Sequence, residues 1–349
     1  MYYLGVDCHK RLSYVTALNE EGQVVFKGAL SNTKEDFAGL IKKLGRNCKA
    51  VLETTFNWGV VFDLLDELGI ETKLAHAHKL RAIAETQIKN DVKDSKILAH
   101  LLRTNLIPEV YIPPKKTRLN RNILRERMFV VKTRTAIKNR IHQLLVRNHV
   151  NNDVYSDMFG KAGRRFIDKL EMYETEGKLL NRELETLDYL DENRKYYEKL
   201  LKQETKDNRY FKLIKSIPGF GEVLSLILAL EIDNINRFKN QKKFASYCGV
   251  VPSEHSSSDK IYRGPTVRHA NKYLKWALIE ASWKAIKCSP YFKQIYIRVK
   301  FRRGSNKAIV SVARHIAEIV YKMLKENRPY EERFYNVNKR NNTAALDRV

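Results

Sequence analysis

Four acidic residues at widely separated positions have the residue type and setting for metal-ion chemistry. Asp7 ends an apolar run near the N-terminus and Glu53 follows another, so both carboxylates are predicted at the ends of buried strands. Asp91 and Asp94 are three residues apart, a spacing that places both on one face of a helix. A buried carboxylate needs a compensating cation, and hard oxygen ligands suit Mg²⁺. The four residues therefore predict a Mg²⁺ site for phosphoryl transfer.

The pair Asp91 and Asp94 also fits a purely structural role. Asn90 or Asp91 would cap a helix N-terminus, and Asp94 would lie in its first turn, where the helix dipole favours negative charge. Taken alone, the pair leaves capping and metal binding open. A sheet that brings Asp7 and Glu53 beside this helix favours metal binding.

A run of three serines is the second feature that could do chemistry. Ser256, Ser257 and Ser258 lie between Pro252 and Gly264, and this composition predicts a loop. A solvated loop without catalytic function is one interpretation. In the other, a serine attacks a phosphodiester, which requires a local base or metal ions because a serine hydroxyl is a weak nucleophile at neutral pH. The neighbours that could act as base or bind phosphate are His255, Asp259, Lys260 and Arg263.

The charge of the chain predicts a polyanionic partner. The 349 residues include 65 Lys and Arg against 40 Asp and Glu, which gives a formal net charge of +25. The four cysteines lie far apart without CxxC spacing, so neither a zinc site nor a disulfide framework is indicated. The longest strongly apolar stretch, Val223–Leu230, is too short to span a bilayer. We expect a cytoplasmic protein of bacterial type, associated with the nucleoid when active, without a membrane partner.

The apolar patterns predict an α/β domain followed by helical regions. Within residues 1–112, three strands joined by short turns precede alternating helices and strands, which is the chain order of a ribonuclease-H-like fold. Residues 113–208 carry helical spacing of apolar residues, and residues 209–330 are mainly helical. Residues 331–349 are expected to form a flexible basic tail. The helical segment 113–208 is either a plain spacer or a coiled coil that dimerises and binds nucleic acid.

A glycine-rich turn and a basic stretch are candidate phosphate contacts in residues 209–330. The sequence Ile217-Pro218-Gly219-Phe220-Gly221 before an apolar helix resembles a helix-hairpin-helix, in which Gly219 and Gly221 would let backbone N–H groups hold a phosphate. A plain tight turn is the alternative. Lys300, Arg302 and Arg303 are further phosphate candidates, or else a solvated charge run. Trp276 and Trp283, seven residues apart, favour core packing over base stacking.

Motifs along nearly the whole chain resemble the DEDD insertion-sequence transposases related to the Piv DNA invertase. The matching segments, in the order of that family, are Gly5-Val6-Asp7, Leu52-Glu53-Thr54-Thr55, Asn90-Asp91-Val92-Lys93-Asp94, Ile217-Pro218-Gly219-Phe220-Gly221, Phe244-Ala245-Ser246-Tyr247-Cys248-Gly249-Val250-Val251-Pro252 and Ser256-Ser257. The family's Ser-Ser-Gly-Gly reads Ser256-Ser257-Ser258-Asp259 here, and Thr54, Thr55 and Phe56 stand where the family often has Ala and Gly.

The resemblance implies a RuvC-like N-terminal domain, a coiled-coil middle and a C-terminal transposase domain with a serine nucleophile. It implies that Asp7, Glu53, Asp91 and Asp94 bind Mg²⁺, and that Ser257, or alternatively Ser256 or Ser258, becomes joined to DNA. It further implies a structured bridge RNA that guides the enzyme to element ends and target DNA. In the family the acidic residues and the serine form a composite site that different subunits supply, which implies a dimer or tetramer.

Three functions remain to be separated. The first is a transposase or site-specific recombinase that uses a serine nucleophile with Mg²⁺. The second is a RuvC-like nuclease in which metal-activated water cuts DNA and the serines only bind phosphate. The third is a nucleic-acid-binding scaffold without catalysis, which the charge favours and the complete acidic set disfavours.

Overall fold

A computed structural model describes residues 1–83, 91–151, 155–257, 260–267 and 269–332. The chain divides into two compact units, Met1–Ile112 and Pro113–Val349. Ser258, Asp259, Asn90 and all but the first two residues of the expected tail lie outside the described residues. For residues 81, 82, 255–257, 260, 261 and 263, the description is of the backbone alone.

The first unit is built on one five-stranded sheet. Its elements are β1 (Tyr2–Cys8), β2 (Leu12–Leu18), β3 (Val24–Ser31), α1 (Lys34–Leu44), β4 (Cys48–Glu53), α2 (Trp58–Glu67), β5 (Glu71–Ala75), α3 (Ala77–Ile83) and α4 (Asp91–Arg103). The strand order is β3-β2-β1-β4-β5, in which the first three strands are antiparallel and β1, β4 and β5 are parallel. This is the order and direction that a ribonuclease-H-like chain requires.

Helices cover both faces of this sheet. On one face, Phe37 of α1 and Leu65 of α2 are fully buried against alternate residues of β1 and β4, including Leu4 and Leu52. The other face packs against Leu98 of α4 and neighbouring apolar side chains. Since side chains alternate between the faces of a strand, the residues of β1 and β4 that do not face α1 and α2 face α4.

A glycine allows α4 to lie directly on β1. A Cβ atom at Gly5 would lie 2.0 Å from the Ser95 carbonyl oxygen and 2.4 Å from the Ala99 nitrogen, so only glycine fits beneath the helix backbone. The buried hydroxyls of Thr16 on β2 and Ser95 on α4 are 2.8 Å apart and hydrogen-bonded, which ties the same turn of the helix to β2. The start of α4 is thereby held above the sheet.

The second unit is helical apart from one β-hairpin. Its elements are α5 (Lys115–Arg147), α6 (Lys161–Ile167), α7 (Glu174–Glu204), α8 (Arg209–Lys215), α9 (Glu222–Ile232), a 3-10 turn (Ile235–Arg237), α10 (Gln241–Tyr247), β6 (Pro252–Ser257), β7 (Lys260–Thr266), α11 (Lys272–Cys288), α12 (Pro290–Arg303) and α13 (Ser305–Glu326). Helices α5 and α7 form a long antiparallel pair. Arginines of α5 bind acids of α7 along it, as in the pairs Arg127–Glu198 (2.7 Å) and Arg147–Glu176 (2.7 Å).

A buried acid joins three helices in the core of the second unit. Glu231 of α9 is 2% exposed and receives 3.8 Å and 3.3 Å contacts from Arg121 and Arg125 of α5. The amide nitrogen of Asn271 also donates to the Glu231 carboxylate at 2.8 Å, while its oxygen caps the N-terminus of α11. Paired charges of this kind fix the relative positions of the helices that supply them.

Two expectations about the C-terminal region are wrong. The segment that contains Ser256 and Ser257 is not a loop, because β6 and β7 pair in an antiparallel hairpin in which cross-strand bonds override the low strand propensity of serine. Trp276 and Trp283 are not core residues, since they are 41% and 39% exposed and Leu278 is among the residues that fill the core side of α11.

No helix in the described ranges is long and apolar enough to cross a membrane.

Candidate active site

The first unit brings Asp7 and Glu53 to the same edge of the sheet. Parallel pairing of β1 with β4 runs through Val6 and Leu52, and Asp7 and Glu53 each follow by one residue. Both residues alternate with side chains that pack against α1 and α2, so both lie on the face that α4 covers. Asp7 is 8% exposed, whereas Glu53 is partly exposed.

Helix α4 carries the other two acids, of which only Asp91 belongs to the described group of converging ligand atoms. Asp91 and Asp94 lie in its first turn, where the helix dipole stabilises negative charge, and the helix then descends over Gly5. A carboxylate oxygen of Asp91 lies within 4.8 Å of one from Asp7. The Asp91 side chain is 53% exposed, so a substrate can reach it. The first-turn role and metal binding are therefore compatible for this pair.

His9 is a member of the cluster that the sequence reasoning did not identify. Its Nε2 lies 3.3 Å from Oδ2 of Asp7 and 3.2 Å from Oδ2 of Asp91, so the imidazole contacts both carboxylates. The His9 backbone oxygen accepts hydrogen bonds from the side-chain amides of Asn32 (2.9 Å) and Asn57 (3.3 Å). Its position two residues after Asp7, on the same face of an extended chain, was the available sequence signal.

The negative charge at this edge affects the pKa of the Cys8 thiol. Burial is the main reason why the pKa of the Cys8 thiol is raised to about 12, and a hydrogen bond with Ser13 opposes that rise. The charges of Asp7 and Glu53 raise the Cys8 pKa further, so both carboxylates lie close enough to influence the same thiol. Cys8 is therefore a neutral, buried thiol beside the acids.

An ordered loop after β4 borders the acidic edge. The Thr54 hydroxyl accepts a hydrogen bond from the Ala77 nitrogen (3.2 Å), and the Thr54 nitrogen donates to the Ala75 oxygen (3.1 Å). Asn57 at the end of the loop bonds His9, while Phe56 is 94% exposed. Thr54, one of the residues that depart from the family pattern, thus joins the ends of β4 and β5.

These distances suit a hard divalent cation. Asp7 and Asp91 offer carboxylate oxygens, the ligand type of Mg²⁺ and Mn²⁺, and Glu53 and Asp94 lie in the adjoining strand end and helix turn. The imidazole of His9 is a ligand that Mn²⁺ accepts more readily than Mg²⁺. Within the described ranges, Asp7, His9 and Asp91 are the one group of three such residues whose ligand atoms converge.

The serines lie in the second unit, near the end of the β6–β7 hairpin. Ser257 pairs with Lys260 in the last register position, Ser256 pairs with Ile261, and Glu254 pairs with Arg263. Tyr262 of β7 is 60% exposed. Ser258 lies outside the described residues. The hairpin therefore carries Ser256 and Ser257 on a two-stranded arm rather than on an irregular loop.

The two glycines before α9 have different surroundings. Gly219 has φ +93°, and a Cβ there would lie 2.5 Å from the Ala281 oxygen and 2.7 Å from the Ala285 nitrogen, so this glycine packs against the backbone of α11. Gly221 is exposed, has no atom within 4 Å of a Cβ position, and precedes α9 without a side-chain cap. Of the pair, Gly221 has the geometry of an accessible helix N-terminus.

The three basic residues of α12 that are candidate phosphate contacts also have different surroundings. Arg302 and Arg303 line a cleft at the base of the hairpin, whereas the ammonium group of Lys300 lies 5.8 Å from the Tyr296 ring. All three side chains are exposed. Lys300 is not among the residues that line that cleft.

Comparison with known proteins identifies the domains that carry these features. Residues 4–150 match the DEDD transposase profile of IS110-type elements, described as transposase. Residues 211–297 match the transposase IS116/IS110/IS902 family. The first match contains all four acids and the second contains the β6–β7 hairpin.

Relatives extend the similarity over the whole chain. The transposase for insertion sequence element IS1111A of Coxiella burnetii is 24% identical over 94% of this chain and 90% of its own length. A probable family 20 transposase of Pseudomonas aeruginosa is 22% identical over 94% and 98% of the two chains. The pilin gene-inverting protein of Moraxella bovis is 27% identical over 37% of this chain and 41% of its own. The chain belongs to the IS110/IS116 family of DEDD transposases, which are enzymes of DNA recombination.

Proposed function

We propose that this transposase excises and inserts a mobile element by Mg²⁺-dependent strand exchange through a serine–DNA covalent intermediate. The observation that supports the metal-dependent step best is the convergence of Asp7 and Asp91, with ligand atoms within 4.8 Å, beside the strand end that carries Glu53. Asp94, in the same turn as Asp91, completes the proposed set of ligands.

The proposed roles follow from ligand chemistry. Asp7, Glu53, Asp91 and Asp94 would hold Mg²⁺, which stabilises charge on the attacking and leaving oxygens of a phosphoryl transfer when bound. His9 orients Asp7 and Asp91 through the contacts at 3.3 and 3.2 Å. Burial fixes the carboxylate of Asp7, while the exposed carboxylate of Asp91 is accessible to the DNA strand.

The proposed serine step exchanges one phosphoester for another. The Ser257 oxygen forms a bond to phosphorus and gives its proton to a base, while the P–O bond to the deoxyribose breaks and the departing oxygen takes up a proton. A hydroxyl of a second DNA end then attacks the phosphoserine and restores the serine. Because the phosphoester bond is kept throughout, religation needs no external energy source. Ser256 and Ser258 are the alternative nucleophiles.

Trapping the covalent intermediate tests this proposal. Labelled DNA that carries an element end is incubated with the protein and Mg²⁺, and denaturing electrophoresis followed by peptide mapping identifies the attached residue. We expect attachment at Ser257, no adduct with Ser257→Ala, and milder effects of Ser256→Ala and Ser258→Ala. Attachment at Ser256 would move the assignment by one residue. Strand cleavage without any attached protein would contradict the serine mechanism.

A water-using nuclease is the second candidate function. The observation that favours it is that the acidic cluster lies wholly within the first unit, so metal-dependent hydrolysis requires no group from the hairpin. In that case Ser257→Ala cuts DNA at the wild-type rate. A catalytically silent scaffold, the third possibility, gives no Mg²⁺-dependent cleavage at all.

The proposed partners are DNA, a structured guide RNA and further copies of the chain in a dimer or tetramer. The net charge of +25 supports extended contacts with nucleic acid, and the resemblance to guided recombinases supports the RNA. Sequencing of RNA that copurifies with the protein tests the guide. Full site-specific activity of an RNA-free preparation would exclude it.

A further inference from the structure

A large basic cleft lies in the second unit, at the base of the β6–β7 hairpin. Its volume is about 950 Å³, near the upper end of the roughly 300–1,000 Å³ typical of ligand pockets. The walls come from Pro252, Glu254 and Gly264–Thr266 of the hairpin, from the end of α12 and from the first turns of α13. The cationic side chains that line the cleft are Lys242, Arg302, Arg303, Lys307 and Arg314.

Most of these cations have no acidic partner among the residues that the structure describes. Arg314 binds Glu318 at 3.0 Å, but none of the other four forms an ion pair with any residue that the structure describes. Among the described residues that line the cleft, Glu254 is the one acid. Four like charges that lack acidic partners in the described part of the chain repel one another on one concave surface, and a bound polyanion removes that repulsion.

Apolar side chains also line the cleft, together with the polar residues Thr266, Asn306 and Ser311. Val250, Val251, Val299 and Val310 line it between the cations. Helix α13 begins here after Gly304, without a side-chain cap, so its backbone N–H groups add to the positive potential. Cationic groups beside apolar walls suit a strand whose phosphates bind the cations while sugars or bases contact the valines.

We infer that this cleft binds a single strand of DNA by its phosphodiester backbone and presents it to the serine hairpin. Ser257 lies three positions after Glu254 of the cleft wall on β6, a span of about 10 Å at roughly 3.3 Å per residue. The choice of DNA as the strand rests on the proposed attack of the serine on DNA. Binding in the cleft itself does not depend on which serine reacts.

The test compares two pairs of substitutions that remove the same charge. Lys242→Gln/Lys307→Gln removes two cleft cations, and Lys284→Gln/Lys293→Gln removes two exposed lysines of α11 and α12 that do not line the cleft. Both are made in the full-length protein with Ser257→Ala, which prevents the proposed covalent attachment. Fluorescence anisotropy of labelled oligothymidylate and of oligouridylate of equal length is measured between about 50 and 200 mM salt.

We expect the cleft pair of substitutions to weaken oligothymidylate binding much more than the control pair does. Loss of two single-strand phosphate contacts lowers the salt slope by about 1.4, which is about a 25-fold loss of affinity at 0.1 M salt. The control pair changes affinity by less than about threefold, since it alters only the long-range field. Equal losses in both pairs would overturn the cleft assignment. A loss confined to oligouridylate would overturn the choice of DNA.

Failure of the serine mechanism gives a different result. If wild-type protein forms no adduct while the cleft pair still loses binding, the proposed nucleophile is wrong and the cleft is a DNA site. If the adduct forms but the cleft pair binds like the control, the serine assignment stands and the strand follows another path. Circular dichroism melting of all variants verifies that each remains folded.

Discussion

At the scale of single residues, the acidic edge depends on charge at fixed positions. Asp7 is buried at the end of β1, while Asp91 and His9 approach it from the start of α4 and from the turn after β1. Three polar groups so close are stabilised by a cation that the carboxylates share. Metal binding should therefore be measurable as stability as well as activity.

The first prediction concerns Asp7→Asn and Asp91→Asn, which keep side-chain size and remove a ligand charge. Mg²⁺ or Mn²⁺ at ten times its dissociation constant should stabilise the wild-type protein by about 1.4 kcal/mol, and each substitution should abolish most of this gain and the strand exchange. Thermal melting with and without the ion measures the effect. Glu222→Gln, an exposed acid of α9, is the control. Wild-type metal stabilisation of Asp7→Asn would exclude Asp7 as a ligand.

The second prediction concerns thiol reactivity. Burial raises the pKa values of Cys8, Cys48 and Cys248, whereas Cys288 is exposed. Because the thiolate is the reactive form, only Cys288 should be labelled by a maleimide at neutral pH in the native protein. For Cys8, whose pKa is raised from the ordinary thiol value of 9.0 to about 12, the contribution to folding stability is complete below pH 9 and is lost as the pH rises toward 12. Mass spectrometry after labelling gives the count, and rapid native labelling of Cys8 would contradict the burial.

At the scale of elements, one contact within each unit positions the residues that the proposed function uses. The crossing of α4 over Gly5 positions Asp91 and Asp94 relative to Asp7. In the second unit, Glu231 links α5, α9 and α11, and α11 follows directly on the β6–β7 hairpin. Neither contact involves a group that would touch substrate, so each can be tested through stability.

Gly5→Ala is the third prediction. The added Cβ overlaps the backbone of α4, so we expect a loss of about 1–3 kcal/mol in unfolding free energy and a weaker metal response, because α4 must shift away from Asp7. Gly39→Ala on α1 is the matched control, since no atom lies within 4 Å of its Cβ position, and it should stabilise by about 0.4–1 kcal/mol. Chemical denaturation of both variants measures the difference. Equal stability of the two would show that α4 does not pack on Gly5.

The fourth prediction is that Glu231→Ala destabilises the second unit by about 3–5 kcal/mol, because it leaves the Arg121 and Arg125 charges without their buried partner. Glu222→Ala, in the same helix, removes an exposed acid 3.3 Å from Lys215 and should cost less than about 1 kcal/mol. Urea unfolding distinguishes the two variants. A small effect at Glu231 would mean that apolar packing alone fixes these helices.

At the scale of the whole molecule, the net charge of +25 should govern nucleic-acid binding. As the fifth prediction, affinity for DNA should fall about 10³-fold between roughly 50 and 200 mM salt if six or more phosphates are contacted, because binding releases counterions. RNA should compete for part of this surface. Filter binding over a salt series measures the slope, and a flat response would contradict the electrostatic interpretation.

The sequence by itself determined the features that depend on local pattern. Strand-length apolar runs, a charged and proline-free middle and the family motifs were enough to predict the α/β sheet, the helical regions and the transposase family. The acidic positions Asp7 and Glu53 followed from their places after buried strands. These inferences succeed because side-chain alternation and helical spacing are properties of neighbouring residues.

Only the tertiary structure decided which distant groups meet. His9 joined the acidic cluster because the turn after β1 is bonded to Asn32 and Asn57, which no local pattern reveals. The hairpin of Ser257 formed through pairing between two strands of weak propensity, and the exposure of Trp276 and Trp283 was set by which face of α11 meets the core. Arg302 and Lys300 are two residues apart, yet only Arg302 lines the cleft, because a two-residue step turns a helical side chain to a different side. Such outcomes depend on long-range packing and pairing, whose energies are absent from any short window of sequence.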